Sequence, residues 1–284
     1  MKSFGRITLI LVGLAAVAVL IGCGGSGNDN EGRIAFQTAT MSPDDILMMN
    51  GDGTDIQSVI SDAINPSLRR DGRVIAFARG GNIYTVRTDG TSLFQVTDHG
   101  VGVDALSPAF TSGGDRIAYV LKATAPGAIP DIRIVNSDGT GDAPLLTDAD
   151  APSWSPDSTM IAFARGSDIY TIHPDGTNLV NETNNGVGVT ARHPSFGPSN
   201  TELAYAEEVV TPSALSSIRL LNLVNGDKTT VISSGSQPSY RPNGNRIAFV
   251  RTGDIYSINR SGTDLVQLTS DVGDDSHPSW ANKP

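Results

Sequence analysis

One short apolar phrase recurs six times and limits what the chain can fold into. It reads "RIAF" at 33–36, "VIAF" at 74–77, "RIAY" at 116–119, "MIAF" at 160–163, "ELAY" at 202–205 and "RIAF" at 246–249. The copies lie 41 to 44 residues apart. A second apolar run follows each one: "DILMM", "NIYTV", "DIRIV", "DIYTI", "SIRLL", "DIYSI". Then come a turn such as "TDGT" or "PDGT" and a further short strand such as "LFQVT" or "LVQLT". Before every copy but the first stands Pro-Ser or Pro-Ala with an apolar residue: "PSL", "PAF", "PSW", "PSF", "PSY". Gly, Asp, Asn and Pro at fixed offsets supply turn geometry between short antiparallel strands. Four strands in each unit, with no helical periodicity, predict an all-β chain: a six-bladed β-propeller of four-stranded antiparallel blades. In "IAF" the bulky residues share one face and alanine the other, so one blade's bulk can meet its neighbour's small face. Phe163, Trp154 and Trp280 are therefore expected in the core.

The first copy lacks a "PSW" of its own, and "HPSW" at 277–280 is followed by only four residues. The C-terminal strand is expected to serve as the innermost strand of the first blade, closing the ring and removing an open edge. The second, fourth and sixth copies resemble one another most, with Ile75, Ile161 and Ile247 spaced by 86 residues. The other three carry longer excursions between their second and third strands, "QTATMSPDD", "VLKATAPGAIPD" and "AEEVVTPSALSS". A pair of blades taken three times predicts pseudo-threefold symmetry within the sixfold ring.

The fullest copy, at 152–177, joins Pro-Ser-aromatic, Ser-Pro-Asp, Ile-Ala-Phe, Asp-Ile-Tyr and Asp-Gly-Thr. This pattern closely resembles the propeller repeats of the TolB family, over roughly residues 33–280. The resemblance implies a periplasmic interaction module whose partners include a peptidoglycan-associated lipoprotein. The repeats begin about ten residues after Cys23, so the N-terminal α/β domain of TolB proper is not expected here.

Lys2 and Arg6 precede an apolar segment from Ile7 to Ile21, which ends in "LIGC". That segment is too short and too near the start for a membrane span. The motif resembles a bacterial lipobox, with Cys23 as the acylated residue. Residues 1–22 are expected to be a lipoprotein signal peptide, 23–32 a flexible tether and 33–284 the propeller. Cys23 is the only cysteine, so an intramolecular disulfide is excluded. Gly24, rather than Asp, follows it. By resemblance this implies the periplasmic face of the outer membrane in a Gram-negative cell, and otherwise the outer face of the cell membrane. The formal net charge is −10. Such an acidic balance argues against nucleic acid and anionic lipid headgroups as partners and is compatible with proteins, cations or neutral glycans. A monomer is expected, attached to the membrane through its lipid alone.

In a propeller the second-to-third-strand loops and the inter-blade links share one face, and the other turns lie opposite. The opposite turns here are tight ("RRDG", "SPDS", "RPNG"), so the long loops are expected to form the working face. The residues before the six prolines, Asn65, Ser107, Ala151, His193, Gln237 and His277, should ring the channel mouth on that face. Their alternatives are ordinary pre-proline turn residues or a polar rim that binds a ligand. Asp98, His99, Asp104, Arg192, Asp271, Asp274 and Asp275 in the links are expected to flank it. No Gly-x-Ser-x-Gly elbow and no zinc spacing among His99, His173, His193 and His277 is present, so an enzyme is not expected. No cofactor is expected. "DVGDDSH" could offer carboxylates to calcium but lacks a regular ligand loop, and a solvated acidic loop is the simpler reading. The leading expectation is a non-catalytic envelope lipoprotein that scaffolds a protein partner. The alternative is a glycan- or peptidoglycan-binding propeller with its ligand at the channel mouth.

Overall fold

The computed structural model describes residues 32–39, 44–209, 215–270 and 273–284. These form six four-stranded antiparallel sheets. Blade 1 runs from its inner strand outward as Asp275–Ala281, Arg33–Thr38, Asp45–Asn50 and Gln57–Ser61. The C-terminal strand thus supplies the innermost strand of the first blade, with Arg33 opposite Ala281 and Ile34 opposite Trp280. It begins two residues before the quoted "HPSW" and ends one after it. The inner strands of blades 2 to 6 are Ile64–Leu68, Val103–Phe110, Asp150–Trp154, Val189–Phe196 and Ser236–Tyr240.

Six apolar clusters fill the ring, one between each pair of neighbouring blades. Between blades 1 and 2, Ala35 and Ala281 meet Ile75 and Phe77. Between blades 4 and 5, Ala162 and Ala164 meet Leu203 and Tyr205. The small face of one blade receives the bulky face of the next, as the "IAF" alternation requires, and tight interdigitation follows. Phe163 is fully buried, and Trp154 and Trp280 are nearly so.

A hydrogen-bond belt explains the serine of the repeated Pro-Ser-aromatic phrase. Each serine Oγ accepts the backbone N–H of the apolar residue in the next inner strand. Leu68 donates to Ser279 (2.8 Å), Phe110 to Ser67 (3.3 Å), Phe196 to Ser153 (3.3 Å), Tyr240 to Ser195 (3.1 Å) and Trp280 to Ser239 (3.0 Å). At the junction of blades 3 and 4 the position is Ala109, so Trp154 N–H has no hydroxyl there to meet.

The pseudo-threefold repeat is visible in detail. In blades 2, 4 and 6, Thr97, Thr183 and Thr269 accept the N–H of Ile83, Ile169 and Ile255 through their hydroxyls, each at 2.9 Å. The hydroxyl takes the place of a ladder carbonyl. The outer strands there therefore shrink to Phe94–Gln95, Val180–Asn181 and Val266–Gln267, shorter than "LFQVT" and "LVQLT" suggest. Arg79 and Arg165 bind carbonyls at the outer edge of the preceding blade, at Asp62 and Ser61 and at Asp148 and Thr147. Each lies over a Phe and a Tyr of its own blade. These clamps join blades 1 to 2 and 3 to 4.

The Asp-Gly-Thr turns are closed units. Asp89, Asp138 and Asp175 each accept both the backbone N–H and the hydroxyl of the threonine two residues on. The glycine between them has positive φ, and at Gly139 a Cβ would also approach Val96 O to 2.9 Å. Both reasons exclude a side chain.

Among the described residues no helix is long and apolar enough to cross a membrane. The leader, Cys23 and most of the expected tether lie outside the described residues.

Candidate functional site

The channel opens on the long-loop face into a cavity of about 230 Å³. All six residues preceding the prolines line it, one from each inner strand, with their prolines and the following Ser or Ala. These residues sit within strands, so the turn reading is corrected. Each has φ between +49° and +53°, and the register with the adjacent strand shifts at each, as between Ile64 and Ser67 or Arg192 and Ser195. Proline cannot donate to the ladder, so pairing lapses there and the strand bulges. Left-handed backbone is unfavourable for any side-chain-bearing residue and worst for β-branched ones. Asn, Ser, Ala, His, Gln and His occupy the six positions, and none is β-branched.

Part of the rim is stitched by side chains. Asn65 N–H donates to Gln37 Oε1 at 3.0 Å, and Ser107 N–H to Asn65 Oδ1 at 3.3 Å. His277 N–H donates to Gln237 Oε1 at 2.7 Å. Gln37 also donates to Asp44 at 2.6 Å. Elsewhere the rim is less satisfied. Ala151 N–H turns back to Asp150 at 2.6 Å, and the buried Nδ1 of His193 has no hydrogen-bond partner. Burial holds the His193 imidazole below its ordinary pKa, against the opposing pull of Asp150. His277 is lowered to about 4, first by burial and then by the neighbouring His193. The rim thus presents two neutral imidazoles, two amides and a hydroxyl around the cavity: a hydrogen-bonding collar with both donors and acceptors.

The flanking residues divide. Asp104 and Arg192 lie inside inner strands, opposite Lys122 and Ala206, rather than in links. Arg192 is next to His193 and contributes to its lowered pKa. Asp98 is exposed in its link. His99 lies in its link, half-buried. Its backbone is held by Asn82 at 2.7 Å, and its Nε2 lies 3.0 Å from Tyr119 OH, which also contacts Asp142 and Arg133. Asp275 is 1 % exposed within its strand, while Asp274 is exposed beside Gly253. Buried and exposed, these two do not form a surface carboxylate pair. Asp271 lies outside the described residues. Among the described residues no three His, Cys, Asp or Glu side chains are grouped to hold a metal.

Two rim-supporting residues escape the sequence reading. Gln37 is the one amide at a position where the other five repeats carry Ala or Val, a contrast visible on alignment. Asp150 carries no such mark, since it precedes the repeated phrase by one residue and only the fold brings it near His193.

No protein-family model matches the chain, and no curated protein matches it. Solved structures do. TolB from Acinetobacter baumannii superposes with a TM-score of 0.75 at 18 % identity, over 88 % of this chain and 66 % of that one. The chain thus spans just under two thirds of the Acinetobacter protein. A protein assigned as TolB from Agrobacterium tumefaciens gives 0.69 at 14 % identity, over 89 % and 99 % of the two chains. An oligogalacturonate lyase in complex with manganese gives 0.62 at 13 % identity, over 84 % and 73 %. The fold is a six-bladed propeller of the TolB type.

Proposed function

We propose that this chain is a non-catalytic, exported scaffold that presents the long-loop face of its propeller to a protein partner, anchored to the membrane through acylated Cys23. The observation that carries the reading is the contrast between the two faces. On one, the described parts of the links and long excursions and the partly unsatisfied rim of Asn65, Ser107, His193, Gln237 and His277 converge. On the other, the Asp-Gly-Thr turns spend their polar groups on themselves. Groups with unused hydrogen-bonding capacity on a rigid support suit recognition. In a Gram-negative cell the location is the periplasmic face of the outer membrane, and a peptidoglycan-associated lipoprotein is a partner of the right class.

Chemical crosslinking in intact cells tests this, with the adduct identified and the two faces varied separately. Substitutions at Asn65, Gln237 and Asp98 are expected to abolish a recurrent protein adduct, and alanines in the Asp-Gly-Thr turns to spare it. The reverse pattern refutes the assignment. Cys23→Ser is expected to abolish membrane association. A glycan reading is favoured by one feature, the neutral donor-acceptor collar with its unpartnered His193 Nδ1. Retention on a glycan array without any protein adduct would select it.

A further inference from the structure

The opposite mouth of the channel has a different chemistry. It is a cavity of about 140 Å³ lined by Arg70, Arg241, Trp154, Trp280, Tyr240 and Phe110, among others. The chain has a net charge of −10, yet among the described residues no Asp or Glu lines this cavity. The nearby carboxylates are engaged elsewhere. Asp71 pairs with Arg69 at 2.8 Å, Asp115 accepts from Thr111 at 2.5 Å, and Asp157 accepts from Ser155 at 2.7 Å. Glu202 is held by Arg260 and Tyr240.

Two donors in the wall have unused capacity. Trp154, 6 % exposed, has a buried indole N–H with no acceptor. The one hydrogen bond described for the Arg70 side chain is a long one, 3.4 Å, to Pro242 O, which leaves most of its five N–H groups. Arg241 lies over the Trp280 ring at 5.7 Å, and Arg116 over Trp154 at 5.0 Å. A buried donor without an acceptor is costly unless something fills its place. Guanidinium forks suit tetrahedral oxyanions.

We propose that this mouth is an oxyanion site that takes a phosphate group, held by Arg70 with Arg241 and the Trp154 indole. The chain reaches the propeller on the same face: Gly32 lies against Ala281 O and the Trp280 indole. The nine residue steps from Cys23 to Gly32 reach about 30 Å at full stretch. If Cys23 is acylated, this face meets the bilayer surface, so a lipid headgroup and a free phosphate are the two sources to separate. The headgroup source rests on the anchoring proposed above. The anion site does not, and it lies on the face opposite the partner-binding one.

Trp154 and Trp280 are the only tryptophans in the chain and both line the cavity, so their emission reports on it; Trp154 also lines the cavity on the long-loop face, and the Arg70 variants assign a change to this mouth. The full chain is titrated at constant ionic strength with inorganic phosphate and with glycerophosphoglycerol, a headgroup without acyl chains; chloride is the control. A saturable change with both ligands supports a site open to headgroups. A change with inorganic phosphate alone supports a site for free phosphate. Arg70→Gln is expected to weaken binding about tenfold or more, and Arg70→Lys to restore part of it. No change with either ligand overturns the proposal, as does an identical response to chloride or an Arg70→Gln chain that binds unchanged. Loss of phosphate binding with the partner adduct intact refutes this site alone.

Discussion

Replacing Ala109 by serine should stabilise the ring by completing its hydrogen-bond belt. At five junctions a serine Oγ accepts a backbone N–H from the next inner strand at 2.8–3.3 Å. At the sixth, Ala109 faces Trp154 with nothing to offer. A net intramolecular hydrogen bond contributes about 0.5–1.5 kcal/mol. For a domain of this size each kcal/mol moves Tm by about 2–4 °C. Ala109→Ser is therefore expected to raise Tm by about 1–6 °C. The converse change is larger, because a donor loses its acceptor inside the ring. Ser279→Ala, at the shortest bond, should cost about 1–3 kcal/mol. The assay is thermal unfolding by circular dichroism at neutral pH, checked by urea midpoints with unchanged slopes. Ser195→Ala serves as a second deletion, and Ala109→Ser combined with Ser279→Ala should be near additive, since the two lie at separate junctions. If Ala109→Ser is neutral or harmful and both serine deletions are silent, the belt is a geometric coincidence and the reasoning fails.

Removing residues 275–284 should abolish cooperative folding of the whole propeller, because the inner strand of blade 1 and the buried Trp280 go together; limited proteolysis and far-UV circular dichroism decide it, and a truncated chain that melts like its parent refutes ring closure. Stability should also fall as pH drops from about 6.5 to 4. His277 is lowered to about 4 in the folded chain, so between those values the unfolded chain binds the extra proton. The loss for this one residue is up to roughly 3 kcal/mol. His277→Asn, which tolerates the left-handed backbone, should flatten urea-derived stability over that window. The turn carboxylates act in a separate, lower window. Hydrogen bonds hold Asp157 at about 2, so its contribution is present above 3.8 and lost as pH falls towards 2; Asp157→Asn should lower stability at neutral pH, and the difference from the parent chain should shrink below about pH 4.

The architecture was readable because repetition averages out local ambiguity. Any single "RIAF" is a short apolar run, but six at one spacing fix strand order, and the missing "PSW" before Arg33 fixes the closure with Trp280. The alternation of Ile, Ala and Phe gave the inter-blade contacts seen at Ala35 and Phe77. Other features needed three dimensions. A residue before proline is expected in extended backbone, so the left-handed bulges at Asn65 and His193 ran against local preference and are imposed by the ring. The outer strands stop after two residues because Thr97 and its counterparts capture a backbone N–H, a side-chain choice that apolar pattern does not record. His99 is legible as a link residue, but its contact with Tyr119 on the next blade is not. The nearness of Asp150 to His193 and His277 is something no spacing reveals.

The pairing of Arg33 with Ala281 has a consequence for how the protein is made. Contacts between segments so far apart in the chain close slowly and late. Blade 1 cannot acquire its inner strand until residue 281 has been synthesised and has emerged, whatever the other five blades have achieved by then. A prematurely terminated chain is left with a gap exposing the apolar faces of Ile34 and Phe36, and is marked for aggregation or degradation. The last strand thus acts as a completeness check: one whole ring is competent, and every shorter product carries a visible defect.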